Sequence, residues 1–118
     1  MYDDFAKEYR SDVIIEVVNL TRATIKEAKE FQNILEEDMI KKCRKLVIDL
    51  SQCEFIDSTF LGTLVVAGKK MISLGGRIKL VEPTSLALDM LNKTGTVKLM
   101  DTYKTKDDAV ESFISSVI

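Results

Sequence analysis

The residues with the clearest chemical potential are three neighbouring polar side chains, Asp57, Ser58 and Thr59. They follow Phe55-Ile56 and precede the helical-looking stretch from Leu61 to Val65. Asp, Ser and Thr are favoured at helix N-termini, because their oxygens accept hydrogen bonds from the free N–H groups of the first turn. The pattern predicts a serine hydroxyl where a helix begins. By itself it leaves open whether the trio only caps that helix or also carries chemistry.

The residues that most other catalytic, metal-binding or nucleotide-binding sites require are missing. The chain has no histidine, which removes the commonest general base and the commonest metal ligand. Cys43 and Cys53 have no further ligands beside them, so they predict neither a zinc site nor a disulfide framework. Gly75-Gly76 precedes a strand-like stretch and fits no phosphate-binding motif, so it indicates a helix-ending turn. Asp49 lacks the acidic pair that receiver-type phosphotransfer needs, and we assign no cofactor.

The strand that must position Ser58 is the apolar run that begins at Lys45. Its apolar residues, Leu46, Val47, Ile48 and Leu50, show no alternation with polar ones. A strand that is apolar on both faces lies in the middle of a sheet with helices on either side. We therefore expect this strand at the centre of the fold and Ser58 at the rim of the sheet.

The N-terminal half predicts a hairpin and a long helix. Phe5–Arg10 and Val13–Val18 are the expected strands, the charged first one at the sheet edge. The polar loop Asn19 to Thr24 follows, with Thr21 or Thr24 as the expected helix cap. Apolar residues then recur at three- and four-residue spacing as an amphipathic stripe: Ile25, Ala28, Phe31, Leu35, Met39 and Cys43. Pairs four apart, Glu37 with Lys41 and Asp38 with Lys42, suggest a solvated charged face.

The helix that begins at Ser58 is expected to run to about Leu74. Its predicted core stripe is Leu61, Leu64, Val65, Gly68 and Ile72, and a second, weakly polar face contains Phe60, Thr63 and Ala67. Phe60 lies off the main stripe, so both a place in the core and an exposed aromatic anchor remain open.

The C-terminal part predicts four further elements. Arg77 to Val81 is expected as a strand with Ile78 and Leu80 inward and Lys79 outward. Pro83-Thr84 starts a short helix that Gly95 ends, and Val97 to Met100 is expected as the last strand. Thr105 and Asp108 mark the start of a closing helix, whose expected apolar face is Ala109, Val110, Phe113, Ile114 and Val117.

The order of elements indicates an α/β fold with a mostly parallel central sheet, an antiparallel N-terminal edge strand and about four helices. A chain of 118 residues is expected to form a single domain, residues 1–118. The net charge of −2 gives no electrostatic support for nucleic-acid binding. No apolar run approaches the roughly 18 to 20 residues that span a bilayer, and the N-terminus lacks a signal-peptide core. We expect a cytoplasmic protein without membrane insertion.

The segment IDSTFLG resembles the I-D-S-[ST]-G-L-G signature of STAS domains, the sulphate transporter and anti-sigma factor antagonist family. The preceding VIDLSQCEF resembles the strand and connector before that signature, and the likeness extends over nearly the whole chain. Phe60 stands where the family usually carries glycine, and the Asn19 to Thr24 loop lacks a glycine often found there. The resemblance implies the STAS topology, with Ser58 as the phosphorylation site and Thr59 as the lesser candidate.

The resemblance further implies a non-enzymatic regulatory protein of the anti-sigma factor antagonist type. Such a protein binds an anti-sigma factor serine kinase of the GHKL type, is released when Ser58 is phosphorylated, and is reset by a phosphatase. The expected partner-binding residues lie around the Ser58 turn and in the loop after the second strand: Asp57, Ser58, Thr59, Phe60, Thr63, Ala67, Asn19 and Thr21. In that setting Asp57 would orient the serine or contact the kinase.

Two other functions remain open at this point. One is a STAS scaffold or regulatory subunit of a stress-signalling complex or of a lipid or sulphate transporter, which docks without phosphorylation. The other is a phosphotransfer enzyme, which the missing histidine and receiver residues disfavour.

Overall fold

The computed structural model describes residues 3–114. These residues form the following elements in chain order: β1 (Phe5–Arg10), β2 (Val13–Val18), β3 (Arg22–Ala23), α1 (Ile25–Ile40), β4 (Lys45–Asp49), β5 (Phe55–Ile56), α2 (Ser58–Ser73), β6 (Arg77–Val81), α3 (Ser85–Lys93), α4 (Thr96–Leu99), β7 (Thr102–Tyr103) and α5 (Lys106–Ile114). The predicted α/β class and the predicted hairpin are confirmed.

Strand β4 is the centre of a five-stranded sheet with the order β1-β2-β4-β6-β7. The β1–β2 pair is antiparallel, while β2–β4, β4–β6 and β6–β7 are parallel. The N-terminal edge strand and the central apolar strand are therefore where the sequence predicted them. β3 and β5 form a separate two-stranded parallel sheet, which the sequence did not reveal because each strand has only two residues.

Both faces of the main sheet are covered, and this explains the unbroken apolar run in β4. Leu46 and Ile48 face the larger core, which α1, α2 and α3 close. Val47 faces the smaller core, which includes Val110 and Phe113 of α5. Alternate side chains of one strand thus enter two different apolar layers, and every β4 residue after the half-buried Lys45 is buried.

Helix α1 begins as its sequence predicts. Thr24 is the N-cap, and it forms a capping box with Glu27. The Thr24 Oγ1 accepts a hydrogen bond from the Lys26 N–H at 3.2 Å, and Glu27 Oε1 accepts one from the Thr24 N–H at 3.0 Å. The middle of the predicted stripe is buried, whereas its first residue, Ile25, is 66% exposed. Cys43, its last residue, is buried beyond the end of the helix.

The buried side of α2 differs from the predicted stripe. It consists of Phe60, Leu61, Leu64, Ala67, Gly68 and Met71, whereas Val65 is half-buried and Ile72 is 42% exposed. The reason is that α2 packs against α1 as well as against the sheet. The covered arc therefore extends to the α1 side, a direction that periodicity within one helix does not show.

Phe60 lies wholly in the core. Its ring stacks on Phe31 of α1 with centroids 5.1 Å apart, and Phe31 stacks on Phe5 of β1 at 4.8 Å. The exposed-anchor interpretation of Phe60 is therefore wrong, because its side chain is 0% exposed. The three rings join β1, α1 and α2 into one packed unit.

The C-terminal third contains two further corrections. The predicted strand Val97–Met100 is instead the short helix α4, and the last strand is β7. Gly68 of α2 permits this packing, since a Cβ there would lie 3.1 Å from Met100 Sδ. The predicted start of α5 is confirmed, because Thr105 Oγ1 accepts a hydrogen bond from the Asp108 N–H at 3.0 Å.

Lys79 does not point outward. Its side chain lies beneath α5, where Nζ donates to Ser112 Oγ at 2.8 Å and lies 4.2 Å from the centroid of the Phe113 ring. Ile114 at the end of α5 is 48% exposed, and Val117 lies outside the described residues. The turn at Gly75, with φ of 85°, ends α2 as predicted.

Replacing Phe60 with alanine tests the ring stack. Because the side chain is fully buried, we expect the free energy of unfolding to fall by about 3–5 kcal/mol, as for other buried phenylalanines. Chemical denaturation measures this value. Val66→Ala on the same helix is the control, since Val66 is 62% exposed, and we expect it to change stability by at most about 0.5 kcal/mol. Equal effects of the two substitutions would contradict the core position of Phe60.

Candidate functional site

Ser58 is the first residue of α2 and is exposed. Strand β5 ends two residues before it, so the hydroxyl stands at the edge of the small β3–β5 sheet. Within residues 3–114, no other group hydrogen-bonds to the Ser58 hydroxyl. The serine is therefore accessible to another macromolecule, as the sequence predicted.

Asp57 fixes the position of Ser58 by holding two helices at once. Its Oδ1 accepts a hydrogen bond from the Phe60 N–H of α2, and its Oδ2 accepts one from the Ile25 N–H of α1, each at 2.8 Å. Its own N–H donates to the Ala23 carbonyl oxygen at 3.0 Å. One carboxylate thus satisfies free N–H groups in the first turns of α1 and α2. The structure shows Asp57 as a cap of both helices.

The loop from Asn19 to Thr24 lies at the same end of the fold. The Thr21 carbonyl oxygen accepts hydrogen bonds from the N–H groups of Glu54 and Phe55 at 2.8 and 3.2 Å. Beyond Thr21, the loop stays attached to the segment before Ser58 in two further ways. β3 pairs with β5, and the Asp57 carboxylate accepts a hydrogen bond from the Ile25 N–H. The loop and the Ser58 turn are consequently neighbours. Asn19 is half-buried and accepts a hydrogen bond from Gln52 at 3.1 Å, whereas Thr21 is exposed.

The predicted partner-binding residues divide by burial. Ser58, Thr59 and Thr21 are exposed, and Asp57, Thr63 and Asn19 are half-buried. Phe60 and Ala67 are 0% and 6% exposed, because both face the packed side of α2. Phe60 therefore drops out of the surface that a partner can contact, whereas Ala67 reaches solvent only as part of the lining of a groove.

The structure instead offers a groove between α1 and α2 as exposed surface beside Ser58, which the sequence analysis did not predict. It has a volume of about 280 Å³ and is lined by Gln32, Leu35, Glu36, Met39, Thr59, Gly62, Thr63, Val66, Ala67 and Lys70. The α2 residues of this list recur every three or four positions, a signal that was present in the sequence. Without the position of α1, however, that signal could not be told from an ordinary solvated face.

The side chains of α2 itself carry no negative charge that would oppose an anion at Ser58, whereas the adjacent Asp57 carboxylate already accepts the Phe60 N–H of the first turn. No acidic residue occurs in Ser58–Ser73, and Lys70 lies in the last turn. The free N–H groups of a helix N-terminus carry partial positive charge, which stabilises a nearby anion by about 0.3–1 kcal/mol. A phosphate on Ser58 would therefore be compatible with the helix.

The two cysteines show no sign of reactivity. Burial, followed by the charge of Asp49, raises the pKa of Cys53 to about 12, and burial raises the pKa of Cys43. Neither thiol forms the thiolate that nucleophilic or metal chemistry needs at neutral pH. In the described part of the chain, no group of His, Cys, Asp or Glu side chains could hold a metal ion.

Within residues 3–114, no helix combines the length and the apolar composition that spanning a bilayer requires.

The sheet order, with an exposed serine where the helix after the central strand begins, defines a STAS-like α/β fold. The STAS domain family matches residues 7–109, and the chain belongs to this family.

Known relatives agree with this assignment. A Thermotoga maritima protein, provisionally named an anti-sigma factor antagonist, is 32% identical over 101 residues, which cover 85% of this chain and 88% of the relative. The crystal structure of a provisionally assigned anti-sigma factor antagonist from the same organism has a TM-score of 0.82 at 29% identity and covers 92% of both chains. The unphosphorylated form of the anti-sigma factor antagonist SpoIIAA matches with a TM-score of 0.75 over 96% of this chain and 99% of its own. At 10% identity, SpoIIAA shows the fold alone.

Replacing Asp57 with alanine tests the double cap. We expect a loss of about 1–2 kcal/mol in the free energy of unfolding, because N-cap removal has this effect in other proteins. Amide hydrogen exchange is the specific measurement, and Ile25 and Phe60 should both exchange faster. Asp57→Asn is the matched control, since its single side-chain oxygen can keep one of the two hydrogen bonds. Unchanged exchange at Ile25 in Asp57→Ala would contradict the link between the helices.

Proposed function

We propose that this chain is an anti-sigma factor antagonist that binds an anti-sigma factor serine kinase and is released from it by phosphorylation of Ser58. The observation that carries the proposal is the exposed Ser58 hydroxyl at the first turn of α2, next to the α1–α2 groove. Membership of the STAS family and the names of its relatives support the class of function. ATP belongs to the kinase in this scheme, and the antagonist itself is non-enzymatic and needs no cofactor.

The docking surface we propose is built from side chains that reach solvent. It consists of the Ser58 turn with Thr59 and Thr63, the groove beside them, and the loop that contains Asn19 and Thr21. The groove offers an apolar floor with Leu35 and Met39, and Val66 projects from its α2 side with 62% exposure. A buried apolar floor beside a polar rim is the usual composition of a protein–protein interface.

Phosphorylation of Ser58 would change binding more than folding. A phosphoserine adds about −1.5 to −2 charges, and the N-terminus of α2 stabilises such a charge. In a docked interface the same group must lose its water and would meet any nearby acidic groups of the partner, at a free-energy cost of several kcal/mol. The larger effect falls on the complex, so we propose a binding switch that a phosphatase resets.

The modification site can be tested with the GHKL-type kinase encoded nearest to this chain in its genome. The protein is incubated with that kinase and ATP, and the phosphate is located by mass spectrometry. We expect one phosphate on Ser58, loss of labelling in Ser58→Ala and retained labelling in Thr59→Ala. Phosphate at another residue, or labelling that survives Ser58→Ala, would contradict the assignment.

The switch is tested separately with Ser58→Asp. We expect at least tenfold weaker binding to the same kinase in calorimetric titration, while the thermal midpoint stays within a few degrees of the wild type. Ser58→Asn, which is similar in size but uncharged, is the control and should bind more tightly than Ser58→Asp. Equal binding by all three proteins would instead indicate a scaffold that docks without phosphorylation.

A further inference from the structure

A buried charged cluster joins β1, β2 and α1 away from Ser58. Lys7 of β1 is the direct cross-strand partner of Glu16 in β2, and its Nζ contacts carboxylate oxygens of both Glu16 and Asp38. The side chains of both acids are only 2% exposed. Asp38 was expected to pair with Lys42 on a solvated face. That expectation is wrong, because Asp38 faces the hairpin instead.

The charges of this cluster do not balance if both acids are ionised. Two carboxylates then share one ammonium group, which leaves one buried negative charge without a partner. Proteins avoid this arrangement, since an unpaired buried charge is strongly destabilising. In addition, Asp38 Oδ2 is buried and has no hydrogen-bond partner among the described residues. A single proton on the carboxyl pair would remove the excess charge and provide a donor for this region.

We propose that the folded protein holds one proton on the Glu16–Asp38 pair at neutral pH, and that folding takes this proton up from solvent. The pair shares the proton, so it belongs to the cluster and not to one residue. Burial, together with the neighbouring Asp38, raises the pKa of Glu16 to about 8, and the Lys7 charge only partly opposes this rise. The pKa of Lys7 is itself raised, because its two acidic partners outweigh the effect of burial, so Lys7 remains charged.

A pH effect between about pH 5 and 8 would come from this cluster, because the charged groups around it titrate outside that interval. Glu37 and Lys41 of α1 form an exposed ion pair, with the pKa of Glu37 lowered and that of Lys41 raised by their contact. Cys43 follows α1, and its pKa is raised. None of these side chains changes charge in the interval, and the chain has no histidine.

The direction of the pH effect follows from proton linkage. In the unfolded chain Glu16 titrates near its ordinary value of 4.5, whereas in the folded chain it titrates near 8. Between these values the folded state binds more protons than the unfolded state, so stability falls as the pH rises. The equilibrium constant of unfolding should increase by about tenfold for each pH unit in this window.

The experiment is denaturant unfolding of the wild type between pH 5 and 9, with calorimetry in buffers of different ionisation enthalpy to count protons. We expect uptake of about one proton on folding near pH 6.5 and the steep pH dependence above. Glu16→Gln and Asp38→Asn should each abolish both effects, because one carboxylate then balances Lys7. Glu54→Gln, at an exposed carboxylate, is the matched control and should keep both effects.

Three results would overturn the proposal. They are buffer-independent folding of the wild type, a pH dependence that persists in Glu16→Gln, or loss of the dependence in Glu54→Gln. A ¹³C titration of the Glu16 and Asp38 carboxyls in the wild type needs no variant, so the proposal stays testable even if a substitution prevents folding. Ordinary carboxylate midpoints at both residues would count against the shared proton.

Discussion

The position of the candidate site depends on the carboxylate of Asp57. Its two oxygens accept hydrogen bonds from N–H groups in the first turns of α1 and α2. The α1 donor, Ile25, lies 32 positions before Asp57 in the sequence. Free N–H groups at helix N-termini require an acceptor, and here a single side chain supplies it for both helices. This arrangement sets the entrance of α2 against the loop before α1. It explains why Ser58, the loop and the upper end of the groove lie at one edge of the molecule.

The phenylalanine at position 60 shows how the chain departs from the usual family signature without losing the fold. A large ring there would disturb an exposed turn, but in this protein it points between α2 and α1 and completes a stack with Phe31 and Phe5. The ring therefore lies in the packed interior and adds no exposed apolar surface beside Ser58. Beside the Ser58 turn, the small and polar residues Thr59, Gly62 and Thr63 of α2 line the groove between α1 and α2.

The two faces of the sheet hold their charged residues in different ways. On the α5 face, Lys79 is covered by aromatic and hydroxyl groups of α5 and β7. On the α1 face, two acids whose side chains are only 2% exposed converge on the single ammonium group of Lys7. Burial of ions is tolerated only with suitable partners. The cluster is thus a local constraint on protonation that is separate from the Ser58 turn.

The sequence by itself determined the elements whose patterns are local. The hairpin, the central strand, the Thr24 cap and the start of α2 at Ser58 follow from short-range composition, and the structure confirms them. The signature around Asp57 was also sufficient to indicate the family. The strand predicted at Val97–Met100 was wrong for a simple reason, since a short segment with the three apolar residues Val97, Leu99 and Met100 is equally suited to a strand and to a short helix that packs on Gly68.

Only the tertiary structure decided which side chains reach solvent, which face another helix and which share a buried charge. Phe60, Asp38 and Lys79 were misplaced for the same physical reason. Periodicity gives the direction of a side chain relative to its own element, but burial depends on the neighbour that the element meets. The groove between α1 and α2, the double cap at Asp57 and the carboxyl pair each need residues from separate elements, so they exist only once those elements have packed together.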